Sequence, residues 1–503
     1  MILYVRDRRL NLALSGAMLA AFLFGCFLFG ALSVRNFRGL ALIGMLFCVA
    51  VYRIKPQLMA CFALFAGYGS FPASVPLGMV FGPVVIYAYQ VGLLLAICYL
   101  IPIARPRFSA YLLPGMFLLT VVCFMVVGFA SGRDAKWVVS EATGLFEVVA
   151  GFVLAMLLVY CDYIKGAMHT IAVTLWFSAG MDVAGSLHAV RLAGRTETMR
   201  GAGGGCAAMA QCAGAEAFRI ITPAETAATA VLSALVAASI VGRVRPATYL
   251  MLGPPAVVVS GLAFSRNVLI EITVAAVVAF VASLGWSAVR KTAVFTVVCA
   301  VLLLVTVPGS LFLLQHSSAG AWLGDQFTGF DNRVLGGVSS KALAVDDSLL
   351  ARLREDANLN RAIAKAPVFG HGLGYAYQLP YGKVGSTSAT AGTVYAHNFY
   401  LWWLAKAGAV GMAAFALFAL TPLFRALRSA SAPAKISAAI SVGMLMVCTV
   451  APYPEGYGAL TLGLALGSAM AFASRGRTER LGAEQTPALT GAEQTPTLTG
   501  AAR

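Results

Sequence analysis

Charge is what this sequence has least of. Only 11% of its residues are Asp, Glu, Lys or Arg, whereas 60% are hydrophobic and the mean hydropathy is +0.83. Soluble domains carry about 25% charge, so a water-facing surface over all 503 residues is excluded. Acidic residues number 20 and histidines five, which leaves few candidates for an acid, a base or a ligand. Zinc-type Cys/His spacing is missing. No clustered carboxylates of the Asp-x-Asp kind stand out in the loops, and Asp346–Asp347 reads as a helix N-terminal signal. A soluble basic face with interleaved aromatics, as nucleic-acid binding needs, is also missing. No apolar run alternates with period two over about ten residues, which removes an outer-membrane barrel.

Long apolar runs are what the chain does have. They fall near 12–32, 37–52, 57–70, 83–103, 109–130, 141–160, 167–189, 223–242, 247–264, 268–288, 292–314, 397–421, 436–451 and 457–474. A helix needs about 20 apolar residues to cross about 30 Å of hydrocarbon. The third and ninth runs are short or carry Pro and Gly, so the expected fold is an all-α integral membrane protein, a polytopic bundle of about 12–14 transmembrane helices. The first run follows Arg6, Arg8 and Arg9 and is too long for a cleavable signal, so it reads as an uncleaved first helix.

The formal charge of +16 follows from topology. With the N-terminus inside, more than half of the 36 Lys and Arg fall in inner segments, among them Arg53, Lys55, Arg105, Arg107, Arg243, Arg245, Arg290, Lys291, Arg425 and Arg428. The short outer loops keep only Arg35, Arg38, Arg133, Lys136 and Arg266. Short loops obey the positive-inside rule, so both termini are expected on the cytoplasmic side.

Four segments result. Residues 1–314 carry transmembrane helices, with an outer loop near 190–222. Residues 315–396 form a large outer loop over the site, 397–474 the last transmembrane helices, and 475–503 an inner tail. That tail holds the tandem "GAEQTPALT" and "GAEQTPTLT", low in apolar surface and read as disordered. The large loop contains the amphipathic pattern "DSLLARLREDANLNRAIAKAP", stopped by Pro367, and then the glycine-punctuated "VFGHGLGYAYQLPYG". Two or three short helices fit there. Eight of the ten cysteines lie in or beside apolar runs and read as packing, while Cys206 and Cys212 share an outer loop and could pair.

Two places could hold chemistry. His397 and Asn398 stand where the large loop re-enters the membrane at "FYLWWLAKAGAVG". The plain reading makes Asn398 a helix cap and Tyr395, Tyr400, Trp402 and Trp403 interfacial aromatics. In "VVVSGLAFSRNVLIEI", Ser265 and Arg266 lie between two runs on the same side as His397. The plain reading of Arg266 is an arginine snorkelling to headgroups. Together they suggest more. A neutral histidine takes a proton from a hydroxyl, and a guanidinium fork holds diphosphate oxygens at two points.

The blocks "SGLAFSRN", "AIAKAPVFGHGLG" and "AHNFYLWWLAKAGAVG", in this order, resemble the O-antigen ligase and O-antigen polymerase superfamily over roughly residues 215–420. The resemblance implies a polytopic, metal-independent glycosyltransferase of the GT-C type with no cofactor. Its donor would be a glycan on undecaprenyl diphosphate, its acceptor a glycan or lipid hydroxyl, and its site the outer face of the bacterial inner membrane. It further implies His397 as general base and Arg266 on the diphosphate, with Asn398 and Ser265 in support and a second arginine from the preceding outer loop. Arg219 is the first choice for that arginine, with Arg191 and Arg200 as alternatives. The family often has Pro-Asn where this chain reads Pro223-Ala224.

Rival readings are a lipid-linked glycan flippase or permease and a structural subunit of an envelope-assembly complex. The first is disfavoured, since the halves do not repeat and the polar cluster lies at one face. Glu147, Asp182, Glu271 and Lys406 lie inside apolar runs, where a central charge costs about 2.5–3.5 kcal/mol. Structural pairing is the expectation for each, Asp182 and Glu271 with arginines or along a lipid groove. His169 and His188 read as interface residues, and His371 as part of a backbone turn that could also touch sugar.

Overall fold

The computed structural model describes residues 50–485 except 56, 76, 82–83, 201–215, 243, 315, 336–346 and 381–389. The first apolar run and most of the second, Arg6, Arg8 and Arg9, Cys206 and Cys212, Asp346, Arg243 and most of the terminal repeat lie outside the described residues.

Every one of the other twelve apolar runs forms a helix. In chain order these are α1 (Leu58–Tyr68), α2 (Ala88–Ala104), α3 (Ser109–Ala130), α4 (Ala135–Tyr160), α5 (Ile164–Ser186), α6 (Ala224–Val241), α7 (Pro246–Leu262), α8 (Arg266–Ala282) and α9 (Trp286–Leu314). The large loop contributes α10 (Ser318–Phe330) and α11 (Asp347–Lys365), and the bundle closes with α12 (Phe399–Leu427), α13 (Ala432–Val447) and α14 (Ala459–Gln485). Among the described residues five helices are long and apolar enough to cross a membrane, and four shorter apolar helices accompany them. Leu119, Val281, Leu304 and Phe424 face outward on these helices, a surface that hydrocarbon solvates without cost. The chain is an all-α polytopic membrane protein.

Three local expectations change. The run at 83–103 begins as strand: β1 (Gly78–Phe81) and β2 (Val84–Tyr87) form a hairpin, and its β-branched Val84, Val85 and Ile86 precede the helix. The loop at 190–222 holds a second ribbon, β3 (Arg195–Arg200) paired antiparallel with β4 (Glu216–Ile221). At the C-terminus α14 continues to Gln485, into the segment read as a disordered tail. A helix already nucleated by packed turns propagates through good helix formers such as Arg, Glu and Leu.

The centre of the bundle is the α4–α14 pair. Gly463 and Gly467 of "GLALG" let the backbones touch, since a Cβ there would sit 2.1 Å from the Val148 carbonyl oxygen and 2.2 Å from that of Phe152. Small residues four apart are the usual means of close helix approach in lipid.

α12 is broken at Gly408, whose φ of +61° and ψ of −166° are non-helical. A break leaves backbone groups unpaired, and burial makes that expensive. The turn 367–374 supplies the partners. Ala409 and Val410 donate to the Pro367 and Val368 carbonyls at 2.8 and 3.1 Å, while His371 and Gly372 donate to the Ala405 and Lys406 carbonyls at 3.1 and 2.9 Å. Gly370, Gly372 and Gly374 all have φ between +62° and +80°, and a Cβ at Gly370 would meet the Lys406 carbonyl at 2.4 Å. The Pro-x-x-Gly-x-Gly-x-Gly block is thus a backbone splice for a broken membrane helix. One ion pair locks it: Lys406 Nζ contacts Glu141 Oε1 at 2.5 Å and the Tyr375 carbonyl at 2.7 Å, and Glu141 Oε2 accepts from Gly374 N.

Candidate active site

His397 sits one residue before the Asn398 cap, whose side-chain oxygen accepts from Leu401 N at 3.3 Å. The surrounding turn is pinned on several sides. Phe399 N donates to the Cys448 carbonyl at 3.0 Å, Trp402 Nε1 to the Val394 carbonyl at 2.8 Å, and the Tyr377 hydroxyl to the Tyr395 carbonyl at 2.7 Å. The imidazole therefore projects from a rigid base. Its Nδ1 lies 2.8 Å from Glu355 Oε2, with the His397 side chain 35% exposed and Glu355 only 5%. A carboxylate is acceptor-only, so the neutral ring carries its hydrogen on Nδ1 and presents the Nε2 lone pair outward.

Glu355 arrives from α11, 42 residues upstream. It shares one helical stripe with Leu359 and Ala362, all three nearly inaccessible. The sequence reading missed this residue. An acid at a core position of an amphipathic helix was the available signal, hidden by the surrounding charges in "ARLREDANLN".

The arginines gather around the β3–β4 ribbon and the loop after α10. Arg219, on β4, donates Nε to the Ala263 carbonyl at 2.9 Å and Nη1 to Glu197 Oε2 at 3.1 Å. Arg266, at the first turn of α8, donates Nε to the Arg333 carbonyl at 3.0 Å. Arg333 lies in a π-helical turn at Asp331–Leu335. Burial, and then the charge of Arg219, lower its guanidinium to about 10, with Arg266 and Arg195 adding to the effect. It stays charged at neutral pH. Glu197 is held below the ordinary carboxylate range: burial pushes it up, but its bonds and charge contacts with Arg195 and Arg219 outweigh that. Among the described residues two carboxyl groups, Glu197 and the Glu225 near Arg219, thus face a group of four arginines, an excess of positive charge suited to a polyanion.

Arg195 joins the two groups. Its charge bears on Arg333 and also on the Tyr395 hydroxyl, which feels Glu355 and Glu455 as well. Tyr395 packs edge-on against His397 with ring centroids 5.4 Å apart. Base and arginine cluster consequently lie within charge reach of the same tyrosine.

Of the residues singled out in the sequence, His397, Asn398, Arg219 and Arg266 have these places, and buried Ser265 lies against Glu225 beside Arg219. Arg191 is exposed, and its carbonyl accepts from Ala73 N at 2.8 Å. The charge contacts of Arg333 include Arg195 and not Arg191. Arg195, Arg333 and Glu355 are the additions.

Lys406, Glu271, His371, His169 and His188 have structural places. Lys406 has a structural partner in Glu141, 265 residues away in the chain. Glu271 accepts from the Tyr453 hydroxyl at 3.1 Å and from Ser233 at 3.4 Å, so its partners are hydroxyls and not an arginine. His371 Nε2 contacts the Ala362 carbonyl at 2.9 Å and its ring stacks on Tyr375 at 4.0 Å, which occupies it within the turn. His169 Nδ1 contacts the Lys165 carbonyl at 2.7 Å, and His188 packs on Phe218. Glu455, in the turn between α13 and α14, is driven well above the usual carboxylate range by burial and by the nearby Glu141.

Residues 255–416 match the family model described as O-antigen ligase. The matched stretch contains Arg266, Arg333, Glu355 and His397, together with the spliced helix break, and the likeness read from the sequence blocks holds over it. No curated protein matches the chain.

Proposed function

Taking the O-antigen ligase match as premise, we propose that the chain is a membrane glycosyltransferase. It moves an oligosaccharide from an undecaprenyl diphosphate carrier to an acceptor hydroxyl at the outer face of a bacterial inner membrane, with both chain termini inside. Diphosphate is already a good leaving group. The site therefore has two tasks: to meet the charge that builds on the leaving oxygen and to aim and activate the hydroxyl.

His397 Nε2 takes the proton of the acceptor hydroxyl as its oxygen bonds to the anomeric carbon. Glu355, at Nδ1, keeps the ring oriented and stabilises the imidazolium that forms. The bond from the anomeric carbon to the diphosphate oxygen breaks, and its electron pair leaves with the diphosphate. Arg266, Arg219 and Arg333 receive that charge at a water-poor boundary where fixed charge acts strongly. Attack opposite the leaving group inverts the anomeric centre.

The observation that carries this reading is the Glu355-held imidazole packed against Tyr395, whose hydroxyl lies in the field of Arg195 of the arginine group. The test replaces His397 and Arg266 separately by Ala and follows surface glycan by gel at matched membrane levels. His397→Ala is expected to lower transfer by about 10²–10⁴-fold. Unchanged glycan attachment and length in both variants refutes the proposal.

A further inference from the structure

A cavity of about 520 Å³ lies between the ends of α1, α2 and α4 and the turn at Glu455–Tyr457, and reaches Gly194, the residue before Arg195. Its size falls within the roughly 300–1,000 Å³ of small-ligand pockets. Its charged lining is Lys136 against Glu147 and Glu455, so it has no excess of positive charge to attract a diphosphate. That chemistry belongs to the arginines. What it offers is a pre-set array of hydroxyl partners beside aromatic faces.

Glu147 Oε1 accepts from the Tyr89 hydroxyl at 2.5 Å and from Gln90 Nε2 at 2.6 Å. Gln90 is itself fixed, because its Oε1 accepts from Tyr87 N at 2.9 Å. Among the described residues Glu147 Oε2 accepts no hydrogen bond, and Glu455 Oε1 is buried without a partner. A buried polar atom is rarely left unpaired, so Glu455 Oε1 calls for a donor, and Glu147 Oε2 offers a second acceptor on the lining of the same cavity for the hydroxyls of a sugar. The stacked rings of Tyr87 and Tyr89, 5.7 Å apart and inclined by 24°, give a surface for the apolar face of a pyranose. Glu455 ties the cavity to the base by position, since it lies within electrostatic range of Tyr395, whose ring packs on His397.

We propose that this cavity is the acceptor-glycan subsite, with Glu147 and Glu455 reading sugar hydroxyls and Tyr87 and Tyr89 supporting the ring. The inference rests on the transferase reading above. It deepens that reading by separating the acceptor from the diphosphate.

The test uses the full chain in proteoliposomes, with lipid-diphosphate glycan and acceptor glycolipid extracted from the producing bacterium's membranes and titrated separately. Glu147→Gln keeps volume and removes the carboxylate. Gly456→Trp fills the cavity from a position where a Cβ meets nothing within 4 Å, at an extended φ of −146°. Glu147→Gln is expected to raise the KM for the acceptor about tenfold, the worth of one hydrogen bond to a charged group. Gly456→Trp is expected to raise it further, with the KM for the donor within about twofold of wild type in both. An acceptor KM unchanged in both variants, or a rise confined to the donor, overturns the subsite and leaves the transferase reading standing. Wild-type transfer by His397→Ala overturns that reading itself, and the subsite with it.

Discussion

The Glu141–Lys406 pair gives the sharpest test of how the broken helix is held. Lys406 is fully inaccessible and Glu141 6% exposed at the side chain, and the two meet at 2.5 Å. Breaking such a pair from one side leaves a buried charge without compensation, which costs about 3–5 kcal/mol. Lys406→Met strands the Glu141 carboxylate with a single donor, Gly374 N, and Glu141→Leu strands the ammonium with a single acceptor, the Tyr375 carbonyl. The double variant removes both charges. It leaves two backbone groups of the turn unpaired, at about 1–3 kcal/mol. Either single change is therefore expected to destabilise more than the two together. Reversible SDS-titration unfolding of the micelle-bound protein, read by circular dichroism, measures all three. Single variants within about 0.5 kcal/mol of wild type, or a double variant equal to the sum of the singles, refute the argument.

Three further outcomes follow from the site and the splice. Glu355→Ala is expected to lower kcat about 10²-fold, less than His397→Ala, with both KM values near wild type, as steady-state transfer assays would report. Gly408→Ala forces a Cβ to 2.3 Å from the Val368 carbonyl oxygen at a φ of +61°, so the left-handed backbone alone costs about 1–2 kcal/mol, and folded yield on size exclusion should drop. The lowered folded-state value of Glu197 means its pairing with Arg195 and Arg219 stabilises the ribbon above the unfolded carboxylate range and is lost as pH falls through the folded value. Protease nicking of β3–β4 should accelerate in acid for wild type and lose that pH dependence in Glu197→Gln.

Much of the scaffold was legible because membrane spans are written locally. Hydrocarbon thickness sets a run length that any twenty-residue window reveals, and all twelve described runs became helices. The Asn398 cap and the helix that Pro367 stops are local in the same sense, each a matter of a few neighbouring residues. The strands at 84–87 and 195–200 were harder, because short β-branched or charged stretches have no period long enough to declare themselves beside apolar helices.

By itself the sequence determined that this chain lives in a bilayer as helices, that His397 and Arg266 flank such helices, and that three spaced glycines follow a proline. Only the tertiary structure decided what those residues meet. Glu355 reaches His397 across 42 positions and Lys406 reaches Glu141 across 265, distances over which no sequence period carries information. The reason is physical. A helix closes its own hydrogen bonds and needs only its own side chains, whereas a buried charge takes its partner from whatever packing brings within about 3 Å.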